Sequence, residues 1–329
     1  MLVKSYSESK YPTSIIHIEA EKLIENDPSL NPLFIWIPGN PGILQYYQQF
    51  LCSLHKKHPH WEILAIPHAG MDTSLPVYRH PNDRIYHLNE QIEHKIEVIT
   101  TFLTKANSSD GIMKKRPLVI MGHSVGTYMI QRMVLTKEFQ DTILHNSFYL
   151  KKIGFITPTI IDINLSSKGI LISHGLQLTH GYLPYILSYL SYFVFSLILK
   201  YFDNIRRRLI AYIMGCQMTD FAAIGTEILL TNSVLVKQSL GLASIEMQEI
   251  RKNWDVQKQF VENCNHNDIQ LWLLFCETDH WVNNVTRTDL IKFYQSNYKD
   301  ISRLQIEVSS EFPHSFVVNH SDWVVERFF

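Results

Sequence analysis

Ser124 lies in the segment PLVIMGHSVGTYMIQRM, with Gly122 and Gly126 two residues away on either side. A serine in G-x-S-x-G, between an apolar run and a helical pattern, occupies a sharp strand-to-helix turn that lifts its hydroxyl above the strand end. Bulkier residues at the two glycine positions would clash across that turn. The helix that follows presents free backbone N–H groups and the positive end of its dipole to charge developing beside the hydroxyl. This is the setting for nucleophilic attack on an acyl carbon. A serine hydroxyl is a weak nucleophile at neutral pH, so the chemistry needs a base and an acid that orients it. In this arrangement they follow the serine in the order acid, then histidine, each just after a strand. Asp279 follows the apolar run Gln270–Cys276, and His314 follows a later run over 304–308. Asp162, also after a strand, is the runner-up acid, and Glu277 falls on a different side of the turn from Asp279. His280, His320 and His123 are rival histidines; His123, inside the serine turn, reads as a packing or hydrogen-bonding residue behind Ser124.

An acyl-transfer site also needs donors for the oxyanion. One is normally the N–H of the residue after the nucleophile, here Val125. The other comes from the loop after an early strand, and Pro38-Gly39-Asn40-Pro41-Gly42 fits that place. Its glycines allow close backbone approach and its prolines stiffen the loop. Asn40 is the expected donor, because Pro41 has no N–H. The histidine cluster His55, His58 and His60 has no recognised metal spacing and reads as a polar turn before a strand. No cofactor and no metal is expected.

The elements that must hold these residues are those of a mostly parallel sheet with helices on its faces, because apolar runs alternate with longer helical patterns. Strands are expected at 14–20, Leu33–Ile37, 62–66, 118–121, 147–157, Gln270–Cys276 and 304–308. An amphipathic helix is expected over 88–103, with Ile92, Ile96, Ile99 and Leu103 on its apolar face, followed by a polar stretch over 105–116. There is no internal repeat and no low-complexity tract. The 329 residues fit two average domains or one large one; here one domain over 1–329 is expected. Lys and Arg number 30 against 31 Asp and Glu, and a net charge of −1 argues against nucleic acid as a partner. With 46% hydrophobic and 19% charged residues, the chain can fill a large core and still carries apolar excess. Four scattered cysteines and an N-terminal stretch without a signal-like apolar core point to a reducing, cytosol-facing setting.

Much of the apolar excess collects between 181 and 215. The segment GYLPYILSYLSYFVFSLIL (181–199) has no charged side chain. As a helix it would be about 28 Å long, near the thickness of a bilayer core. Pro184, its serines and its tyrosines lower that apolarity, and Lys200, Arg206, Arg207 and Arg208 follow before a second apolar stretch over 209–215. Either this insertion is a helical lid or cap buried on the core, or it is a monotopic interfacial hairpin with tyrosines at the polar boundary and arginines on anionic head groups. Tyr182, Tyr185, Leu190, Phe193, Phe195 and Leu197 are the lid or membrane-contact candidates. A true bilayer span is the weakest reading, since it would place the two halves of one domain on opposite sides of the membrane.

IPGNPGILQYY, IPHAG (66–70), LNEQIEHK (88–95), GHSVGTY, TDHWV (278–282) and PHSF (313–316) together resemble the lipid droplet-associated hydrolase family of α/β-hydrolases, over most of the chain. TPTIIDINLSSKG (157–169) resembles the family's segment before its hydrophobic insertion more loosely. The resemblance implies an α/β-hydrolase fold, with Ser124 as nucleophile, Asp279 as acid and His314 as base. It also implies residence on the phospholipid monolayer of lipid droplets, facing the cytosol, with the endoplasmic reticulum membrane as a second surface. Triacylglycerols or sterol esters are the implied neutral lipid substrates, cleaved by a lipase or sterol esterase activity. The competing reading is a droplet-binding protein that organises droplet growth or turnover with little hydrolysis. A weaker third is a soluble thioesterase or small-ester esterase whose apolar segment is a cap. The HAG and QIEHK segments carry no chemistry of their own and read as packing near the site.

Overall fold

The computed structural model describes residues 2–24, 31–74, 84–107, 115–146 and 148–329. Most of the polar stretch expected over 105–116, and Ser147 at the head of an expected strand, lie outside the described residues.

Eight strands form one sheet: β1 (Lys4–Ser5), β2 (Ser14–Ile18), β3 (Leu33–Ile37), β4 (Glu62–Ala65), β5 (Arg116–His123), β6 (Phe148–Ile156), β7 (Gln270–Cys276) and β8 (Leu304–Ser309). Their order is β1-β2-β4-β3-β5-β6-β7-β8. The pairs β1/β2 and β2/β4 are antiparallel, and every pair from β4 to β8 is parallel. This is the sheet of an α/β-hydrolase. Parallel strands covered on both faces read as unbroken apolar runs, and in β3 all five residues are buried. Successive side chains still alternate between faces. Leu33, Ile35, Ile37, Leu271, Leu273 and Phe275 join the core on one side, while Phe34, Trp36, Trp272 and Leu274 join the core on the other.

The helices follow from α1 (Gln48–Lys57), α2 (Leu88–Asn107), α3 (Val125–Val134) and α4 (Lys137–His145) to α5 (Ser167–Leu178), α6 (Leu183–Ser191) and α7 (Asp203–Met214). Then come α8 (Phe221–Leu230), α9 (Ser233–Glu249), α10 (Trp254–His266), α11 (Asn284–Asn297) and α12 (Ser321–Phe328). Helices α2, α3, α10 and α11 cover the first core, and α1 and α12 the second. The expected apolar face of α2 is the buried one: Ile92, Ile96, Ile99 and Leu103 all enter the core.

Several boundaries differ from expectation for physical reasons. The strand expected at 14–20 stops at Ile18, and β5 extends beyond its apolar middle to Arg116 and His123. Arg116 sits at the strand's start because its guanidinium finds Glu62 Oε2 at 2.6 Å. The two-residue β1 is too short to leave a periodic signature. Of the histidine cluster, His55 is on α1 and its Nε2–H donates to Glu19 O, while His58 stacks on Trp61 with ring centroids 4.3 Å apart just before β4.

The helical excursion between β6 and β7 is longer than 181–215: it begins at α5 and includes α8 and α9. Hydropathy marked only its greasiest part, because α9 buries apolar residues against the body, with Leu235 and Leu242 fully enclosed, and α8 is half-buried. The stretch Leu183–Tyr201 behaves oppositely. It is one continuous helical path, widened to a π-turn over Tyr192–Ile198, and only 17% of it is buried. The reading of this stretch as a buried core helix is therefore overturned.

Candidate active site

The turn after β5 is strained where it carries the nucleophile candidate. Ser124 has φ 51° and ψ −126°, a conformation that side chains rarely adopt and that persists only when its surroundings enforce it. They do so here: the Ser124 N–H donates to Ile156 C=O at the end of β6, at 3.0 Å. A Cβ at Gly126 would lie 2.5 Å from both Ile37 O and Pro38 O, so only glycine lets α3 start this close to β3. At Gly122 a Cβ would meet Ile130 Cδ1 at 2.7 Å. Ser124 is 9% exposed, at the head of α3.

His314 comes from the loop after β8 and Asp279 from the turn after β7. His314 Nε2 lies 3.0 Å from Ser124 Oγ, and His314 Nδ1 lies 2.8 Å from Asp279 Oδ2. A carboxylate only accepts, so Nδ1 carries the proton and Nε2 faces the serine hydroxyl as acceptor. Asp279 Oδ1 accepts the N–H groups of Trp281 at 2.7 Å and Val282 at 3.1 Å. Burial pushes the Asp279 carboxyl up, but the His314 charge, the hydrogen bond to His314, the Trp281 N–H and the Cys276 thiol outweigh it and hold the pKa below the usual range. At 2% side-chain exposure it is an anion with all its solvation supplied by the fold.

The alternatives are engaged elsewhere. Asp162 accepts the Lys252 N–H at 2.8 Å, from a left-handed backbone position. Glu277 is exposed. His280 faces Ser167 Oγ at 3.4 Å, and His320 sits at the start of α12.

His123 does stand behind the serine, and it does more than pack. Its Nε2 is 2.8 Å from His314 O and its Nδ1 is 2.7 Å from Tyr47 Oη. A carbonyl oxygen cannot donate, so Nε2 carries the hydrogen and Nδ1 accepts from the Tyr47 hydroxyl. That hydroxyl oxygen in turn accepts the Gly39 N–H at 2.8 Å. Burial, followed by the His314 charge, pushes the His123 pKa down to about 3, so the ring stays neutral and can keep both roles. The chain Gly39–Tyr47–His123–His314 joins the loop after β3 to the loop after β8. Sequence reading missed Tyr47, whose place in QYY carries no local signal of it.

The loop after β3 lies directly over the serine: a Cβ at Gly39 would be 2.8 Å from Ser124 Cβ. The Asn40 and Val125 N–H groups have no acceptor among the described residues. Gly42, at φ +82°, passes so close to the His68 ring that a Cβ would meet Cδ2 at 2.3 Å. His68 N–H donates to Gly42 O at 3.2 Å, and Gln91 grips Ala69 through its N–H at 2.7 Å and its C=O at 3.2 Å. The HAG and QIEHK segments thus brace this loop from below. Lys95 is buried among them, its Nζ 3.0 Å from His94 Nδ1, and desolvation holds its amine well below the usual range. A groove of about 490 Å³ opens beside His314, lined by residues including Lys168, Thr278, Trp281 and Phe312. Among the described residues, no three His, Cys, Asp or Glu side chains converge as a metal site would require.

The family model of the lipid-droplet associated hydrolases matches residues 30–317. The chain belongs to that family. A lipid droplet-associated hydrolase of Drosophila melanogaster is 24% identical over 305 residues, covering 91% of this chain and 88% of that protein. One of Mus musculus is 27% identical over 306 residues, covering 88% and 81%. Among solved structures, 2-hydroxy-6-oxo-6-phenylhexa-2,4-dienoate hydrolase from Rhodococcus superposes with a TM-score of 0.56 at 13% identity, over 98% of this chain and 95% of that one. At that identity the likeness shows the α/β-hydrolase fold alone. Family and fold together make this chain a hydrolase.

Proposed function

We propose that the protein is a serine ester hydrolase of the lipase or sterol esterase type, acting on neutral lipid esters at the surface of lipid droplets. The observation that carries this reading is the unbroken line Ser124 Oγ–His314 Nε2–His314 Nδ1–Asp279 Oδ2, at 3.0 and 2.8 Å. Ser124 Oγ attacks the ester carbonyl carbon while His314 Nε2 takes its proton. The Val125 and Asn40 N–H groups hold the oxyanion, and Asp279 stabilises the imidazolium. The C–O bond then breaks, His314 returns the proton to the departing alcohol, and water activated by the same histidine releases the fatty acid. No cofactor or metal enters these steps.

The greasy face of α6 and α7 supports a lipid surface as the place of work. Tyr182, Tyr189, Leu190, Phe193 and Leu197 are exposed, as are Tyr201, Tyr212 and Ile213; Tyr185 is less so, and Phe195 is half-buried. Contiguous apolar exposure on this scale marks an interaction surface. A droplet has one phospholipid monolayer over oil, so a hairpin enters and leaves on the cytosolic side. The endoplasmic reticulum membrane is the second surface of the same kind. One member of the basic edge is withdrawn from it: Arg206 is enclosed and paired with Glu227 at 2.7 Å, while Arg207, also paired with Glu227 at 3.1 Å, stays exposed with Lys200 and Arg208.

A fluorophosphonate probe tests the chemistry, applied with and without a phospholipid-coated oil emulsion. Covalent labelling of wild type and none of Ser124→Ala is expected; absence of labelling under both conditions would refute it. The same exposed face equally favours a protein that organises droplets without hydrolysis. In cells, equal effects of wild type and Ser124→Ala on droplet size and lipid turnover would establish that second reading.

A further inference from the structure

Asn40 is held through its side chain as well as its loop. Its Nδ2 donates to Ser239 C=O at 2.9 Å and to Glu246 Oε1 at 2.8 Å. Both acceptors belong to α9, part of the helical excursion, whereas the other anchors of the loop, Tyr47 and His68, belong to the body of the hydrolase. Glu246 is 3% exposed, and Asn40 is its one side-chain hydrogen-bond partner among the described residues. A carboxyl so enclosed costs stability unless it is paired, and packing alone would be better served by leucine. Burial pushes its pKa up to about 8, so at neutral pH it offers Asn40 a neutral C=O, which a glutamine would reproduce.

α9 is in turn well seated. Gln238 Oε1 accepts the Tyr86 N–H at 2.8 Å, so the helix is fixed to the segment ahead of α2. Its other side packs along α6, where Lys237 Nζ stands 5.8 Å from the ring centre of the exposed Tyr185. A single helix therefore separates the apolar outer face from the loop over Ser124.

We infer that Glu246 is a positioning residue for the oxyanion loop: from α9 it fixes Asn40 over Ser124 and so makes that donor's placement depend on the excursion that carries the apolar face. This rests on the assignment of the Asn40 N–H as an oxyanion donor made above. Without the carboxyl, the Asn40 amide loses a buried acceptor and the loop gains freedom. Displacements of about an ångström in such donors cost large factors in rate while leaving ground-state binding nearly intact.

The test compares Glu246→Gln and Glu246→Leu in the full chain, with Glu246→Asp, which withdraws the carboxyl by one methylene, as the second disruptive variant should the leucine protein not fold. With a short p-nitrophenyl ester, kcat is expected to fall about tenfold or more in the disruptive variant, with KM within about twofold of wild type. Glutamine is expected to restore kcat to within about threefold. Amide hydrogen exchange of the 38–47 segment reads the same clamp without any chemistry: faster in the leucine or aspartate protein, as in wild type with glutamine. Unchanged exchange in the disruptive variant, or a kcat loss that glutamine does not rescue, would overturn the inference. A wild type that neither labels nor turns over would overturn the hydrolase reading instead, and exchange alone would then decide the role of Glu246.

Discussion

Replacing Glu246 by glutamine should stabilise the protein, and increasingly so as pH rises. The carboxyl has an ordinary value of 4.5 and is raised by burial to about 8. Between those values the unfolded chain has released the proton and the folded chain still holds it. The native state therefore binds more protons, and wild-type stability falls as pH climbs through that window. Each unit of pH in it costs about 1.4 kcal/mol, so at pH 7 the native protein has lost about 3 kcal/mol that a glutamine, which does not titrate, would keep. For a chain of this length, that is an upward shift in Tm of about 4 °C. Thermal melts of both proteins at pH 5, 6, 7 and 8 measure it, and every other titrating group cancels in the difference. A gap that widens with pH is expected. A constant gap from pH 5 to 8, or one that narrows, would mean that Glu246 ionises at its ordinary pKa and that the site is wetter than its 3% exposure implies.

Asp279→Asn should leave the fold in place and lower kcat by about 10⁴, since the amide disturbs the histidine tautomer; a loss under tenfold in a steady-state ester assay would remove Asp279 from its role. Because its folded pKa is depressed, Asp279 contributes stability that is present above the unfolded value and lost as pH falls through the folded one, so acid melts of the Asn variant should be flatter than those of wild type. Gly126→Ala should prevent soluble expression or cost about 3 kcal/mol or more in a urea titration, because its Cβ has backbone oxygens at 2.5 Å that cannot move aside. Leu190→Asp with Phe193→Asp should weaken flotation with phospholipid-coated oil by about tenfold or more while sparing hydrolysis of a water-soluble ester. Unaltered flotation would remove α6 from the lipid surface.

The sheet was readable from sequence because each of its buried strands is a run whose two faces are both covered, and such runs look the same whatever packs on them. Ser124 was readable because its turn puts backbone oxygens 2.5 Å from any Cβ at 126 and leaves little room for one at 122, which selects glycine at both positions. Asp279 and His314 were reachable through order along the chain: both lie just after strands at the same end of a parallel sheet, and 2.8 Å between them is the consequence. What stayed hidden depends on long-range partners with no local signature. Tyr47 reaches His123 from a different element, and Glu246 meets Asn40 from across the excursion. The QIEHK segment was conspicuous yet mute, because a buried lysine and histidine announce that something is enclosed without saying what. The extent of the excursion was misjudged for the reverse reason. Hydropathy locates grease, and α9, the helix that touches the site, has its apolar residues inside.

That division within the excursion bears on how such an enzyme could respond to a surface. A lid that simply blocked the site would bury its apolar face on the body and expose it on opening. Here the outer face is already exposed, with Tyr189 at 73% and Tyr212 at 86%. Docking on the proposed surface would then need no prior opening of this face; the cost of exposure is present in solution and the lipid would relieve it. A phenylalanine or leucine side chain transferred fully from water yields about 1.5–3 kcal/mol, so a few of these residues half-immersed supply about 2–5 kcal/mol of anchoring. What remains for the surface to change is the packing of α6 on α9, and behind α9 stand Glu246 and Asn40. On this reading the lipid would act on rate through the oxyanion loop more than through access. An emulsion would then raise kcat for a water-soluble ester that needs no lipid to reach the site, and it would do so in wild type and Glu246→Gln but not in Glu246→Leu.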